Sequence, residues 1–316
     1  MIPNTVKFSS EEIFAIFGMG QCRNIKPGEQ FTGISIDSRE ISAGNIFVAL
    51  RGERMDGHTK VHAAIENGAA MAVVSAEWLE ENDDALGLPL LVVKDTQTAL
   101  AKFGRFHRDR FAIPVLAVGG SNGKTTTKEM ISHLVEQKHK IVKTHENFNN
   151  QLGLPLMLFL IDETTEMAII EIGTNEPGEI AILAQTLNPT HGILTNIGKE
   201  HLEKLIDLDG VEAEETSLFA HLIKHGGTRI VNLDDERLSK YTQLGGSHIT
   251  FGVAEGANVR ASIEFDSEVH PLVSLSVAGE EFKVEMRTQG YTTALNAIAA
   301  AAAAHSLGLG ANEIKA

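Results

Sequence analysis

Two hydrophobic periods alternate along the chain, and the places where one gives way to the other mark its elements. In the first third, short apolar runs are bounded by glycine, asparagine and aspartate: Gly33-Ile34-Ser35-Ile36-Asp37-Ser38-Arg39, then Ile46-Phe47-Val48-Ala49-Leu50 behind Ala43-Gly44-Asn45, then residues 71–75. These runs have strand length, and their turn residues stop each one before a helical repeat could develop. Arg51-Gly52-Glu53 reads as the turn after the second run. Residues 62–67 carry helical spacing closed by Gly68, and a strand over 88–94 followed by a helix over 96–110 leads onward. The expectation is a small α/β domain over residues 1–96 and a second domain over 97–316.

Beyond Pro114 the pattern becomes that of a parallel sheet. Val115-Leu116-Ala117-Val118 is apolar throughout, as a strand covered on both faces must be, and Met167-Ala168-Ile169-Ile170-Glu171-Ile172-Gly173 and Gly192-Ile193-Leu194-Thr195 repeat the theme. A helix over 210–225 is expected, with Asp209 as its N-cap and Gly226-Gly227 as its stop, leading into a strand over 228–233. Strict alternation over 272–277 and 281–286 predicts an antiparallel excursion, and an alanine-rich helix over 292–307 is suited to close packing. Strands separated by helices define the fold class as α/β, with a mostly parallel central sheet and helices on both faces.

Composition adds exclusions. The 316 residues are 43% hydrophobic and 22% charged, an ordinary globular balance. With 27 Lys+Arg against 42 Asp+Glu the net charge is -15, the wrong sign for gaining affinity by neutralising nucleic-acid phosphates or anionic lipid. Any phosphorylated ligand therefore needs a local positive site. The longest apolar runs, 152–161 and 297–304, fall short of the roughly 20 residues that span a bilayer. A single cysteine, Cys22, cannot form an intrachain disulfide, and Glu11 and Glu12 sit where a signal peptide would need an apolar core. No nucleic acid, no membrane insertion and a cytoplasmic location are the expectations.

The local positive site is legible after the strand at 115–118. Gly119-Gly120-Ser121-Asn122-Gly123-Lys124-Thr125-Thr126-Thr127-Lys128-Glu129-Met130 is a glycine loop opening a helix, the context that makes a phosphate loop credible. Its glycines let backbone N–H groups face phosphate oxygens, Lys124 reaches the β/γ-phosphates and Thr125 can ligate Mg²⁺. The spacing is G-x-x-G-K-T; the longer G-x-x-x-x-G-K-[ST] form would put its first glycine on Val118. Ligands of a parallel sheet sit outside the carboxyl ends of its strands, where Glu171 and His201 fall. Glu171 in an apolar strand is either a Mg²⁺ ligand beside Thr125 or half of a structural ion pair. His201 is either a site residue or a capping histidine. Glu212, Glu214 and Glu215 suit the first turns of a helix through its dipole. Asp37-Ser38-Arg39 either grips a carbonyl or phosphate or forms an N-cap with a surface ion pair, and Asp56-Gly57-His58 taken alone is a turn.

Taken together these stretches resemble the ATP-dependent Mur ligases of peptidoglycan synthesis. Most similar is the branch that joins D-alanyl-D-alanine to UDP-N-acetylmuramoyl tripeptide. The resemblance runs through Ser35 to Arg39, Gly44 to Gly52, Asp56-Gly57-His58, the loop Gly120 to Met130, Asn147-Phe148-Asn149-Asn150-Gln151-Leu152-Gly153-Leu154-Pro155-Leu156, Glu171 to Ile180, and Thr195 to Glu203. It implies an N-terminal uridine-nucleotide-binding domain and a central ATP-binding domain. It also implies an acyl-phosphate route to an amide bond, ATP and Mg²⁺ as cofactors, and a monomer acting on UDP-N-acetylmuramoyl tripeptide and D-Ala-D-Ala. By the same likeness Ser35, Asp37, Ser38, Arg39, Asp56, His58, Asn149 and Asn150 bind the muramoyl substrate. Gly120, Ser121, Asn122, Gly123, Lys124, Thr125, Thr126 and Asn296 bind ATP. Thr125, Glu171, His201 and Glu215 hold magnesium, with Lys124, Glu171 and His201 as the catalytic set.

Three departures from the family pattern stand out. A lysine that the family carbamylates to help hold a second magnesium is Glu215 here. The helix motif H-N-x-x-N reads Thr292-Thr293-Ala294-Leu295-Asn296, which keeps only its last asparagine. The family's third, C-terminal domain is expected to be absent, since the sequence stops at Ala316. The runner-up readings are a sister ligase that adds a diamino acid to a UDP-muramoyl dipeptide, and a non-catalytic nucleotide-binding protein.

Overall fold

The computed structural model describes residues 3–52 and 55–315; Glu53, the last residue of the turn expected at 51–53, lies outside the described residues. The chain divides into two compact units, Met1–Phe111 with Leu158–Leu160, and Ala112–Met157 with Ile161–Ala316.

The first unit holds strands β1 (Lys7–Ser9), β2 (Cys22–Arg23), β3 (Gln30–Thr32), β4 (Ile34–Ser35), β5 (Ile46–Val48), β6 (Met71–Ser75) and β7 (Leu90–Val93). β1 and β3 pair antiparallel, while the other five form a sheet in the order β2-β7-β6-β5-β4, parallel except for β2. Phe47, Ala72, Val74 and Leu90 from this sheet pack with Val61 and Ala64 of the helix Val61–Glu66. The division after Phe111 revises the expected boundary at residue 96. Helix Thr96–Asp109 is capped by Asp95, whose carboxylate accepts the Thr98 N–H at 2.7 Å, and it belongs to the first unit. Phe103 meets Phe8 at 5.0 Å between ring centroids and Phe17 at 4.8 Å, and Arg110 reaches Glu12 at 2.8 Å. The helix's apolar face is therefore buried against the start of the chain, a partnership that periodicity alone does not specify.

The second unit is built on nine strands: β8 (Val115–Gly119), β9 (Ile141–Lys143), β10 (Met167–Glu171), β11 (His191–Leu194), β12 (Thr228–Asn232), β13 (His248–Gly252), β14 (Val259–Phe265), β15 (Pro271–Val277) and β16 (Glu280–Glu285). Their order is β16-β15-β14-β13-β12-β11-β8-β10-β9. Strands β9 to β14 and β8 run parallel, and β15 and β16 form the antiparallel excursion expected from the alternating segments. From β8 the chain moves to β9 and β10 on one side and then to β11 on the other. A crevice therefore opens at the carboxyl ends of β8, β10 and β11, the position where open α/β sheets bind ligands. Leu116 and Val118 pack with Ile131 and Val135 of the helix Lys124–Glu136 and with the alanines of Tyr291–Ser306, which lies beside it.

The single helix expected over 210–225 is two helices, Leu208–Glu215 and Ser217–His225. Between them Thr216 turns its hydroxyl back onto the Glu212 carbonyl at 2.6 Å, a bond that competes with the helical ladder, and Tyr241 hydrogen-bonds the same hydroxyl at 3.0 Å. The N-cap is Asp207 rather than Asp209: its carboxylate accepts the N–H groups of Asp209 and Gly210 at 3.0 and 2.9 Å. Asp209 is drawn outward instead by Arg237 at 2.7 Å.

Candidate active site

The loop after β8 is held by close approaches that leave no room for a side chain. Gly120 has φ +109°, and a Cβ there would lie 2.4 Å from Thr195 Oγ1; Gly123 has φ +82°, and its Cβ would lie 2.4 Å from Asn296 Oδ1. Both conformations belong to glycine. Asn296, 8% exposed, is thus packed against the phosphate loop itself.

A second segment, 195–198, is laced to the loop. Ser121 N–H donates to the Asn196 carbonyl at 2.9 Å, and Ser121 Oγ both donates to the Gly198 carbonyl and accepts the Gly198 N–H. Asn122 N–H donates to Asn196 Oδ1 at 3.2 Å, while Thr195 Oγ1 and Asn196 Nδ2 donate to the Asn122 carbonyl at 2.6 and 2.9 Å. Gly120 N–H donates to Glu215 Oε2 at 2.8 Å. Three loop N–H groups are therefore engaged within the protein. The donors left to face an anion are at the start of the helix Lys124–Glu136, whose N-cap Gly123 supplies no side-chain cap. Thr127 N–H donates to the Gly123 carbonyl at 2.8 Å, so the N–H groups of Lys124, Thr125 and Thr126 precede the helical ladder. With the helix dipole they form an anion-binding end, and the hydroxyls of Thr125 and Thr126 stand exposed beside it. Lys124 Nζ donates to the Gly120 carbonyl at 2.6 Å and lies 3.5 Å from Glu200 Oε2.

Three carboxylates ring this loop. Glu171, at the carboxyl end of β10 and 3% exposed, accepts Asn149 Nδ2 at 2.8 Å on one oxygen, and its other oxygen, 4.0 Å from Lys128 Nζ, has no hydrogen-bond partner. Glu215 is fully buried; Oε2 takes the Gly120 N–H and Oε1 has no partner. Burial pushes its carboxyl up to about 8, with Lys124 pulling it down and Glu200 pushing it further up. Glu200 Oε1 is likewise buried without a partner. Glu214 turns the other way, accepting Gly178 N–H, Ile180 N–H and the Thr174 hydroxyl, while Glu212 pairs with Lys240 and Arg237. Of the three adjacent acids only Glu215 faces the loop.

The remaining residues singled out from the sequence are more dispersed. His201 caps the short helix Leu202–Leu205 in a left-handed conformation, φ +45°, with Nδ1 3.9 Å from Glu203. Among the described residues no group of three or more His, Cys, Asp or Glu stands assembled to hold a metal, so Glu171, His201 and Glu215 are not a preformed cage. Asn150 Oδ1 accepts the N–H groups of Leu152 and Gly153 at 3.1 and 2.9 Å and so caps the helix Gly153–Leu158. Sequence reasoning passed over Lys128, which is 1% exposed and donates to the Thr144 carbonyl at 2.9 Å. Its spacing of four from Lys124 is the signal that could have placed it one turn further along the phosphate-loop helix.

In the first unit, Asp37 accepts the backbone N–H of Arg39 and both Nε and Nη2 of its side chain, at 3.0, 2.9 and 2.6 Å. These hydrogen bonds hold its carboxyl down at about 2. Ser35 Oγ donates to the Asp37 carbonyl, and the Ser38 carbonyl accepts Asn67 Nδ2 at 3.0 Å. The Arg39 side chain, 85% exposed, remains presented to solvent. His58 is buried and fully engaged: Nε2 accepts the Ser75 N–H at 3.0 Å, which leaves Nδ1 to donate to Asp56 at 2.6 Å.

A parallel α/β sheet with a Gly-Lys-Thr loop at its switch point is the architecture of P-loop nucleotide-binding proteins. The family comparisons refine this. Residues 118–304 match the Mur ligase middle domain, and residues 30–108 match the Mur ligase family catalytic domain. The chain belongs to the Mur ligase family. It is 33% identical over 288 residues to the UDP-N-acetylmuramoyl-tripeptide–D-alanyl-D-alanine ligase of Synechocystis, covering 90% of this chain and 60% of that protein. Against the Bacillus subtilis ligase of the same name the figures are 34% over 206 residues, 65% and 44%. Among solved structures, MurF of Acinetobacter baumannii has a TM-score of 0.87 at 29% identity, covering 99% of this chain and 68% of that one. MurF of Thermotoga maritima, in complex with ADP, has a TM-score of 0.79 at 27% identity, covering 90% and 65%. The chain thus spans between 44% and 60% of the length of the two curated relatives named.

Proposed function

We propose that this chain forms the UDP-substrate and ATP-binding parts of a cytoplasmic, monomeric ligase that joins D-Ala-D-Ala to UDP-N-acetylmuramoyl tripeptide. The observation that carries the reading is the uncapped helix start at Lys124, Thr125 and Thr126, set at the sheet's switch point in a chain whose named relatives are ligases of this type. In the reaction a terminal carboxylate oxygen of the tripeptide attacks the γ-phosphorus of ATP, and ADP departs. The amine nitrogen of D-Ala-D-Ala then attacks the acyl carbon of the resulting acyl phosphate, inorganic phosphate leaves with the C–O bond, and the amine gives up a proton. The helix start and Lys124 neutralise and align the phosphates. Arg39, exposed and anchored by Asp37, is a group of the first unit available to an anionic nucleotide substrate.

Magnesium fits the residues present. Glu171 Oε2 and Glu215 Oε1 are buried carboxylate oxygens without partners, the donor type a hard cation takes. Mg²⁺ ordinarily uses one or two carboxylates and completes its shell with phosphate oxygens and water, so a cage of protein ligands is not required. Glu171 and Glu215 would hold it, with the Thr125 hydroxyl and His201 as further ligands. When bound it supplies charge neutralisation at the transferring phosphoryl group. Glu215 is an oxygen donor in its own right, so no CO₂-derived modification is needed at that position.

Isothermal titration tests the reading. The 316-residue chain is expected to bind Mg·ADP and UDP-N-acetylmuramoyl tripeptide at independent sites. A chain that binds neither overturns it.

A further inference from the structure

The acid at the end of β10 is held at both its backbone and its side chain by one short stretch, residues 144–149. Thr144 N–H donates to the Ile169 carbonyl at 3.2 Å and so prolongs the pairing of β9 with β10, and Thr144 Oγ1 accepts the Glu171 N–H at 2.9 Å. At the far end of the stretch Asn149 Nδ2 donates to Glu171 Oε1 at 2.8 Å, and the Asn149 carbonyl accepts the Gly173 N–H at 3.0 Å. A Cβ on Gly173 would lie 3.2 Å from Asn149 Nδ2, so glycine there leaves room for the amide. Lys128 Nζ, on the phosphate-loop helix, donates to the Thr144 carbonyl at 2.9 Å and ties the same stretch to that helix.

Glutamate is a flexible side chain, and a cation that takes only one or two carboxylates depends on where each oxygen stands. The Asn149 amide holds one oxygen of Glu171 and leaves Oε2, buried and without a hydrogen-bond partner, as the oxygen open to a cation. This hold does not depend on the charge of the acid, since a carboxyl oxygen accepts from an amide whether or not the group carries a proton. Asn149 thus spends Nδ2 and its backbone carbonyl on the end of β10, while its neighbour Asn150 caps the helix Gly153–Leu158.

We infer that Asn149 is a positioning residue of the metal site: its amide sets the Glu171 carboxyl so that Oε2 meets the cation, and the muramoyl substrate is not its partner. The inference rests on the reading of this loop as an Mg·ATP site, and it moves Asn149 from the substrate set implied by the family likeness to the support of a metal ligand.

The test is manganese binding by the 316-residue chain in the presence of ADP, read from the free Mn²⁺ signal in electron paramagnetic resonance, beside calorimetric titration with UDP-N-acetylmuramoyl tripeptide. Asn149→Ala is expected to weaken Mn²⁺ binding about tenfold to a hundredfold, the loss that follows removal of a group orienting a metal ligand, and to keep the tripeptide affinity within twofold of the parent. Asn258→Ala gives the structural comparison. Its Oδ1 accepts the Thr250 N–H at 2.9 Å between β13 and β14, so its loss lowers the melting temperature and leaves Mn²⁺ affinity alone. Mn²⁺ affinity within twofold of the parent in Asn149→Ala overturns the inference, as does a fall in Asn258→Ala as large as that in Asn149→Ala. A loss of tripeptide affinity beyond twofold in Asn149→Ala overturns it too and returns the residue to the substrate. These outcomes leave the nucleotide reading intact, whereas a parent chain that binds no ADP, or binds ADP without Mn²⁺, overturns the Mg·ATP reading and the inference with it. Should Asn149→Ala not fold, Asn149→Leu, which keeps the volume and drops the donor, is expected to show the same loss, and an unchanged Mn²⁺ affinity there overturns the inference.

Discussion

Glu215 Oε2 accepts the Gly120 N–H at 2.8 Å, joining two residues that lie 95 apart in the chain. A buried carboxylate is thereby built into the wall of a loop whose function is to receive anions. The loop spends Gly120 N–H on its own scaffold, and anion recognition passes to the N–H groups of Lys124, Thr125 and Thr126 and to the lysine side chain. The acid is fixed in place by the element it serves.

Because burial raises the Glu215 carboxyl from its ordinary 4.5 to about 8, the folded chain keeps a proton that the unfolded chain has lost across that interval. The folded state binds more protons there, so its stability falls as pH rises. This contribution is fully present below 4.5 and is lost on passing through about 8. In metal-free buffer the melting temperature of the parent should fall more steeply over this range than that of Glu215→Gln, which keeps an acceptor for Gly120 but does not titrate. Parallel melting profiles would refute the assignment.

Lys124→Ala should weaken ADP binding by about tenfold to a hundredfold, the loss of one charge-assisted phosphate contact of about 1.5–3 kcal/mol. Its Nζ rests on loop carbonyls and is the counter-charge of the buried Glu200 and Glu215 carboxyls, so the melting temperature should also fall somewhat at neutral pH. Calorimetric titration with Mg·ADP and a melting curve of the same sample measure the two effects separately.

Gly123→Ala should cost about 1–2 kcal/mol through its left-handed backbone alone, with an added clash against Asn296 Oδ1. Truncating the neighbour in Asn296→Ala removes that clash and leaves the backbone cost. A double-mutant cycle in urea should therefore show the pair less destabilised than the sum of the singles, and additive values would place Asn296 away from the loop.

The first unit separates structure from recognition in the same way. His58→Ala leaves the buried Ser75 N–H without its acceptor, removes one of the donors to Asp56 and should cost about 2 kcal/mol of stability. Arg39→Ala removes a solvent-exposed ion pair, a kind that adds little to stability, so stability should hold. Affinity for UDP-N-acetylmuramoyl tripeptide should fall with Arg39→Ala while the melting temperature stays put. The reverse pattern, with Arg39 governing stability and His58 governing affinity, would exchange their roles.

Local chemistry made much of this molecule legible in its sequence. An apolar run such as 115–118, too short for a helix and bounded by Pro114 and Gly119, suits a covered strand, and the Gly-x-x-Gly-Lys-Thr after it suits a tight turn into a helix, so loop, lysine and strand-end carboxylate were all readable. The alternating segments at 272–277 and 281–286 gave the antiparallel edge for the same reason, since a period of two is a property of neighbouring residues. What the tertiary structure decided were choices among equivalent local candidates. Asp207 and Asp209 both suit an N-cap, and Arg237 settles which one caps. Glu212, Glu214 and Glu215 are interchangeable to a dipole, yet one pairs with Arg237 and Lys240, one caps Gly178 and Ile180, and one meets Gly120. Helix Thr96–Asp109 joins the first unit because Phe8 and Phe17 cover it. Each outcome depends on a partner tens of residues away, and the free energy of a buried contact is set by what the fold brings against a side chain, which its own stretch of sequence does not encode.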